Sequence, residues 1–142
     1  MKRVAVLLLF AFFCVPAQAR PSGWPVEVTR VIDGDSWVLD IELGLDVHVR
    51  RTGRALCIDT PEVYGATREA GLKARAFAVQ WIGEHCPCIA EPGPDPQDKY
   101  GRVLIVLHDA DTDAQLNRAL LDAGHAVPYL CPNNVYLFGA SP

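Results

Sequence analysis

Residues 26–58 read VEVTRVIDGDSWVLDIELGLDVHVRRTGRALCI, and this stretch decides the fold. Val26 to Ile32, Ser36 to Leu43 and Val47 to Ile58 are rich in Val, Ile and Leu with partial alternation, and Gly34, Gly44 and Gly53 punctuate them. That pattern predicts three successive antiparallel strands. From Arg68 to Gly83 the period changes: Leu72, Ala76, Val79 and Trp81 or Ile82 fall near helical spacing, and β-branched residues almost vanish, which predicts a first helix. Pro87 to Glu91 reads as a short strand, and Glu91-Pro92-Gly93-Pro94-Asp95-Pro96 as a stiff loop that cannot join a sheet interior. Val103 to Leu107 resumes a buried strand. Asp111, Thr112 or Asp113 can cap a second helix running through Leu116, Leu120 and Leu121, with Gly124 as its stop. Five strands and two helices in this order fit a small closed barrel with helical additions, an α+β chain that is mainly β.

The 142 residues, half of them hydrophobic and 21% charged, suit one compact domain. The N-terminus has a separate character. Lys2-Arg3 precede an unbroken apolar run from Val4 to Val15, and Pro16-Ala17-Gln18-Ala19 follows. This is the pattern of a signal peptide over residues 1–19 cleaved after Ala19, with a single domain over 20–142 in the periplasm or secreted. An uncleaved membrane anchor is the alternative, although the run is short for a spanning helix. Phe13 before Cys14 argues against a lipoprotein. Loss of Lys2 and Arg3 from the 13 basic residues leaves 11 against 17 acidic ones, a net charge of −6. Such a chain lacks the broad basic surface of a packaging protein, so any attraction for nucleic acid must be local.

Cys57, Cys86, Cys88 and Cys131 remain after removal of Cys14, and an even number in an exported chain favours disulfides. In extended chain Cys86-Pro87-Cys88 puts both thiols on one face with a rigid proline between them, which disfavours their direct union. Cys57 and Cys131 are therefore the expected partners of that pair. A zinc site from His85, Cys86, Cys88 and a distant cysteine is the sharper alternative, but the usual Cys-x2-Cys spacing is missing.

Three charged islands carry chemistry: Asp33-Gly34-Asp35-Ser36, Arg54 with Asp59-Thr60-Pro61-Glu62, and Asp98-Lys99-Tyr100-Gly101-Arg102. Asp33 and Asp35 project the same way in extended chain, and Gly34 allows a sharp bend that brings two carboxylates to one ion. Asp-Gly-Asp alone is most often only a turn. Asp59 and a Thr60 carbonyl complete an oxygen-rich shell of the kind calcium prefers. Glu62, just outside it, could deprotonate a water, and Arg54 and Arg102 could donate paired hydrogen bonds to a phosphate. Singly, each of these is better explained as a surface ion pair or a loop carboxylate. Arg54 and Asp59 lie five residues apart, so an ideal strand would send them to opposite faces; a strand end or bulge at Cys57 to Asp59 is required.

In order and internal spacing, the segments Val31–Ser36, Arg54–Glu62 and Asp98–Arg102 resemble the three signature segments of the staphylococcal nuclease (thermonuclease) family. Leu116-Asn117-Arg118-Ala119-Leu120-Leu121 with Gly124 is similar to that family's second helix, so the likeness runs from about Val28 to Tyr129. The resemblance implies a five-stranded OB-type barrel and calcium-dependent hydrolysis of DNA and RNA to products ending in 3′-phosphate. It implies Asp35 and Asp59 as carboxylate ligands, Thr60 as a carbonyl ligand and Asp33 in support. It further implies Glu62 as general base, Arg54 and Arg102 on the scissile phosphate, Lys99 and Tyr100 beside the nucleotide, and Tyr129 stacked on a base. A single calcium ion is the implied cofactor, single-stranded or locally open nucleic acid the implied substrate, and a monomer the expected state. The chain departs from the family's pattern at Ser36, where threonine is common, in the brief loop after Glu62, and in a truncated third helix beyond Cys131. Two other classes compete: a catalytically silent OB-type barrel that binds nucleic acid, and an exported domain whose carboxylates merely hold calcium.

Overall fold

The computed structural model describes residues 22–131. The expected signal peptide over 1–19 and the expected truncation of a third helix both lie outside those residues. Strands β1 (Trp24–Val31), β2 (Ser36–Glu42) and β3 (His48–Ala55) form the antiparallel meander read from the sequence. Helix α1 (Arg68–His85) crosses over, and β5 (Cys88–Gln97) and β6 (Val103–Asp109) complete a closed barrel of order β1-β2-β3-β6-β5. The fold is α+β, mainly β, and of OB type. β6 lies parallel to β3, with Gly53, Arg54 and Ala55 opposite Val103, Leu104 and Ile105. Such a parallel pair needs a long crossover, which α1 supplies.

The alternation of β2 decides what fills the barrel. Trp37, Leu39 and Ile41 point inward and are buried with Ala55, Ile105 and Leu107, while Val38 and Asp40 face the other way. Gly53 is required by this core, since a Cβ there would come within 2.8 Å of Leu39 Cδ1. Gly44, Leu45 and Asp46 turn β2 into β3 with φ of 90, 53 and 59°.

Four expectations are corrected. The strand expected over Val47 to Ile58 stops at Ala55; Cys57 takes φ 66°, and a two-residue strand β4 (Ile58–Asp59) then pairs with β7 (Val127–Pro128). The proline-rich segment is part of β5, yet its ladder with β6 opens between Pro92 and Gln97, as residues without an N–H dictate. Trp81 lies on the buried face of α1 as expected, but its companions there are Gly71, Ala74 and Ala78 rather than Leu72, Ala76 and Val79, because small residues let the helix axis approach the barrel closely. Helix α2 (Leu116–Asp122) begins after Gln115, and none of Asp111, Thr112 or Asp113 caps it. Asp109 instead holds the preceding turn, accepting the amides of Asp111 at 2.8 Å and Thr112 at 3.0 Å. Gly124 ends α2 with φ 73°, as read from the sequence.

The disulfide pairing is also corrected: the bridges are Cys57–Cys131 and Cys86–Cys88. The chain at Pro87 is not extended. It bends until the Cα atoms of Cys86 and Cys88 stand 4.5 Å apart, which removes the objection to their direct union. By loop-closure entropy the first bridge contributes about 4.5 kcal/mol and the second about 1.6 kcal/mol, because one closes most of the domain and the other a single turn. Among the described residues no helix is long and apolar enough to cross a membrane.

Candidate functional site

The site is assembled where β2 begins and β3 ends. Ser36 is the cross-strand partner of Arg54, which places Asp35 and Arg54 side by side at one end of the barrel. Arg54 Nη1 is ion-paired with Asp35 Oδ1, and Arg54 Nη2 lies 2.5 Å from Asp59 Oδ1. The left-handed Cys57 is the break that the five-residue spacing demanded; it brings Asp59 back to the face of Arg54. Burial works against the Arg54 charge, but the hydrogen bonds and charges of Asp35 and then Asp59 outweigh it and raise its pKa.

Asp35 is buried and fully engaged. Its Oδ2 accepts the Thr60 amide at 2.6 Å and the Thr60 hydroxyl at 3.0 Å, and its Oδ1 accepts Ser36 Oγ at 3.1 Å. Thr60 thus holds the Asp35 carboxylate through its N–H and hydroxyl, and neither bond uses the Thr60 carbonyl. Asp33 Oδ1 accepts the Asp35 amide at 3.1 Å. Burial, followed by the negative charge of Asp35, pushes the Asp33 carboxyl up to about 6. Gly34 is not in the left-handed region; its missing side chain makes room, since a Cβ would come within 2.8 Å of Thr60 Cγ2 and 2.9 Å of Ala74 Cβ. Close approach, and not a special bend, explains that glycine.

The third island is a hairpin loop between β5 and β6. Asp98 Oδ1 accepts the amides of Tyr100 at 2.9 Å and Arg102 at 3.0 Å, and its Oδ2 accepts Arg102 Nε at 2.7 Å. Gly101 closes the turn with φ 78°. Burial opposes ionisation of Asp98, but these bonds from Arg102 and Tyr100 hold its pKa below the usual carboxylate range. Lys99 Nζ and Arg102 Cζ stand 5.0 and 5.5 Å from the centre of the Tyr100 ring.

A groove of about 460 Å³ joins the second and third islands, lined among others by Arg54, Lys99, Tyr100, Arg102, Tyr129 and Leu130. Tyr129 enters its wall because its amide donates to the Cys57 carbonyl at 2.9 Å, and its ring lies 6.0 Å from Arg54 Cζ. Asp59 and Thr60 open instead on a neighbouring cleft of about 230 Å³ with Pro61, Thr67 and His125. Glu62 is exposed and does not line the groove. Its charge, followed by its hydrogen bond, raises the Tyr64 phenol, to which Asp33 also contributes, so Glu62, Tyr64 and Asp33 share one side of the site.

In donor type, Asp33, Asp35 and Asp59 fit a hard cation, since all offer carboxylate oxygens. Among the described residues, however, no group of three or more His, Cys, Asp or Glu side chains is arranged to hold a metal ion, and Arg54 is the charge that Asp35 and Asp59 share.

Two supporting residues were missed. A Cβ on Gly71 would overlap the Glu62 carbonyl, so the backbone carrying Glu62 rests directly on α1, where Thr67 Oγ1 also donates to the Glu62 carbonyl at 3.2 Å. Asn117, fully buried, accepts the Leu107 amide at 3.2 Å and donates to the carbonyls of Leu56 at 3.0 Å and Ile105 at 3.1 Å. A glycine in a helical run and an asparagine between core leucines were the available signals. No protein-family model matches the chain, and no curated protein sequence matches it.

Proposed function

We propose that this chain is an exported, calcium-dependent nuclease of the staphylococcal nuclease type that hydrolyses phosphodiester bonds of DNA and RNA to products ending in 3′-phosphate. The observation that carries the proposal is the convergence of all three islands: Arg54 in contact with both Asp35 and Asp59, with Arg54, Lys99, Tyr100, Arg102 and Tyr129 along one groove. A phosphate seated there meets two guanidinium groups able to neutralise its non-bridging oxygens as charge develops. Glu62 takes the proton of the attacking water, and the 5′ oxygen leaves with a proton from solvent. Tyr100 and Tyr129 offer ring faces to bases, which suits unpaired strands. Asp35 and Asp59, with Asp33 in support and the Thr60 carbonyl, are the residues to hold calcium, which supplies positive charge beside the phosphate.

The two disulfides are compatible with an oxidising compartment, and the signal-like N-terminus supports the periplasm or the medium as the destination. The engagement of Arg54 by both carboxylates favours one second reading, a silent OB-type barrel that binds nucleic acid without cutting it. Incubation of the purified protein with single-stranded DNA and with RNA, in calcium and then in chelator, decides between them. Calcium-dependent cleavage with 3′-phosphate ends supports the nuclease, and binding without cleavage under any divalent ion leaves the silent barrel.

A further inference from the structure

The groove wall made by Tyr129 and Leu130 has little to hold it by packing. Val127, Tyr129 and Leu130 are 60, 49 and 80% exposed. β7 contributes a two-residue ladder to β4, and the Tyr129 amide adds one hydrogen bond to Cys57. Among the described residues the Arg54 guanidinium near the Tyr129 ring is a further weak contact, the Cys57–Cys131 bridge is the covalent tether, and that bridge starts from a telling residue. Cys57 is buried, lies between Arg54 and Asp59 in sequence, and adopts the left-handed conformation that returns Asp59 to Arg54. One residue thus joins the turn of the acidic site to the wall of the groove.

We infer that the Cys57–Cys131 disulfide is a positioning element of the site, holding Tyr129 and Leu130 in the groove that Lys99, Tyr100 and Arg102 also line, so that full affinity for nucleic acid requires this bridge to be oxidised. The inference rests on the nuclease reading. Reduction by a dithiol transfers two electrons and two protons: the Sγ–Sγ bond breaks, Cys57 and Cys131 become thiols, and the dithiol closes to its own disulfide. Among the described residues the wall is then left with its short ladder, its single hydrogen bond and the Arg54 guanidinium near the Tyr129 ring. Chain that has not left a reducing compartment is accordingly a weaker binder of nucleic acid, and oxidation after export strengthens binding. The Cys86–Cys88 bridge closes a single turn at the far end of α1 and serves as an internal control.

The test uses the purified protein carrying C86S/C88S, which keeps Cys57 and Cys131, in oxidised and dithiol-reduced forms beside a C57S/C131S variant. KM and kcat on single-stranded DNA are measured with calcium, and amide exchange is followed at Tyr129 and at Ile105 in the barrel. Reduction is expected to raise KM about tenfold, the size of one lost aromatic stack, with kcat changed less. Protection at Tyr129 is expected to disappear while Ile105 stays protected. Unchanged KM with retained Tyr129 protection overturns the inference, and so does loss of protection throughout the barrel, which would make the bridge a general staple. If even the oxidised protein cuts nothing, the nuclease reading fails while the exchange measurement still decides the role of the bridge.

Discussion

Asp35 and Arg54 form a buried ion pair because β2 and β3 are in register at Ser36 and Arg54, so the guanidinium reaches a carboxylate nineteen positions earlier in the chain. Asp35 is 3% exposed. R54A leaves that buried carboxylate without its cation, and is expected to cost about 3 kcal/mol of stability. D35N/R54A should recover much of the loss. Urea unfolding of the single and double variants measures both, and additive losses would contradict the pairing.

Glu62 and Arg102 sit in exposed or half-exposed positions, so their removal is expected to spare the fold. On the proposed nuclease function, E62Q and R102A should each lower turnover about 10²- to 10³-fold, the usual cost of a lost general base or charge-stabilising donor. Rates near wild type in both, at unchanged melting temperature, would remove these residues from the chemistry.

Asp33 gives the protein a pH dependence. Its carboxyl loses a proton near 3.8 when unfolded and near 6 when folded, so between those values the folded chain holds more protons. Stability must then fall as pH rises from about 4 to 6, with the cost absent below that window and complete above it. Solvent screening at this half-buried group reduces the expected fall to about 1 kcal/mol. D33N should abolish the slope. Chemical denaturation at pH 4, 5, 6 and 7 in chelator tests this, and an identical slope in D33N would refute it.

Two glycines of α1 should respond in opposite directions. At Gly83 an added Cβ meets nothing within 4 Å, and G83A is expected to stabilise by about 0.5–1 kcal/mol through helix propensity. At Gly71 the Cβ overlaps the Glu62 carbonyl, so G71A is expected to destabilise by about 1–3 kcal/mol and to displace Glu62. Thermal melts of the two variants check the contrast, and stabilisation by G71A would mean that the loop yields freely.

The meander, the barrel and the three islands were legible because each has a local signature: alternation in β2, a change of period at Arg68, turn glycines at Gly44 and Gly124. What escaped depends on three-dimensional proximity. Pairing of Cys86 with Cys88 turns on how sharply the chain bends at Pro87, which an extended-strand argument cannot supply. The inward face of α1 is Gly71, Ala74, Ala78 and Trp81, a stripe set by helix-to-barrel distance rather than by hydrophobicity, so counting Leu72 and Val79 pointed to the wrong side. The break at Cys57, by contrast, was deducible from the spacing of Arg54 and Asp59, although the left-handed residue that makes it was not.

The gap in the β5–β6 ladder has a bearing on how this chain survives in company. A closed barrel offers no free edge for another polypeptide to extend, and the backbone between Pro92 and Gln97 is where that closure lapses. Pro92, Pro94 and Pro96 have no N–H to donate, so an incoming strand finds half of its hydrogen bonds missing at alternate positions. The prolines that interrupt the sheet also insulate it, protecting a small domain against the edge-to-edge aggregation that its own barrel would otherwise invite at that seam.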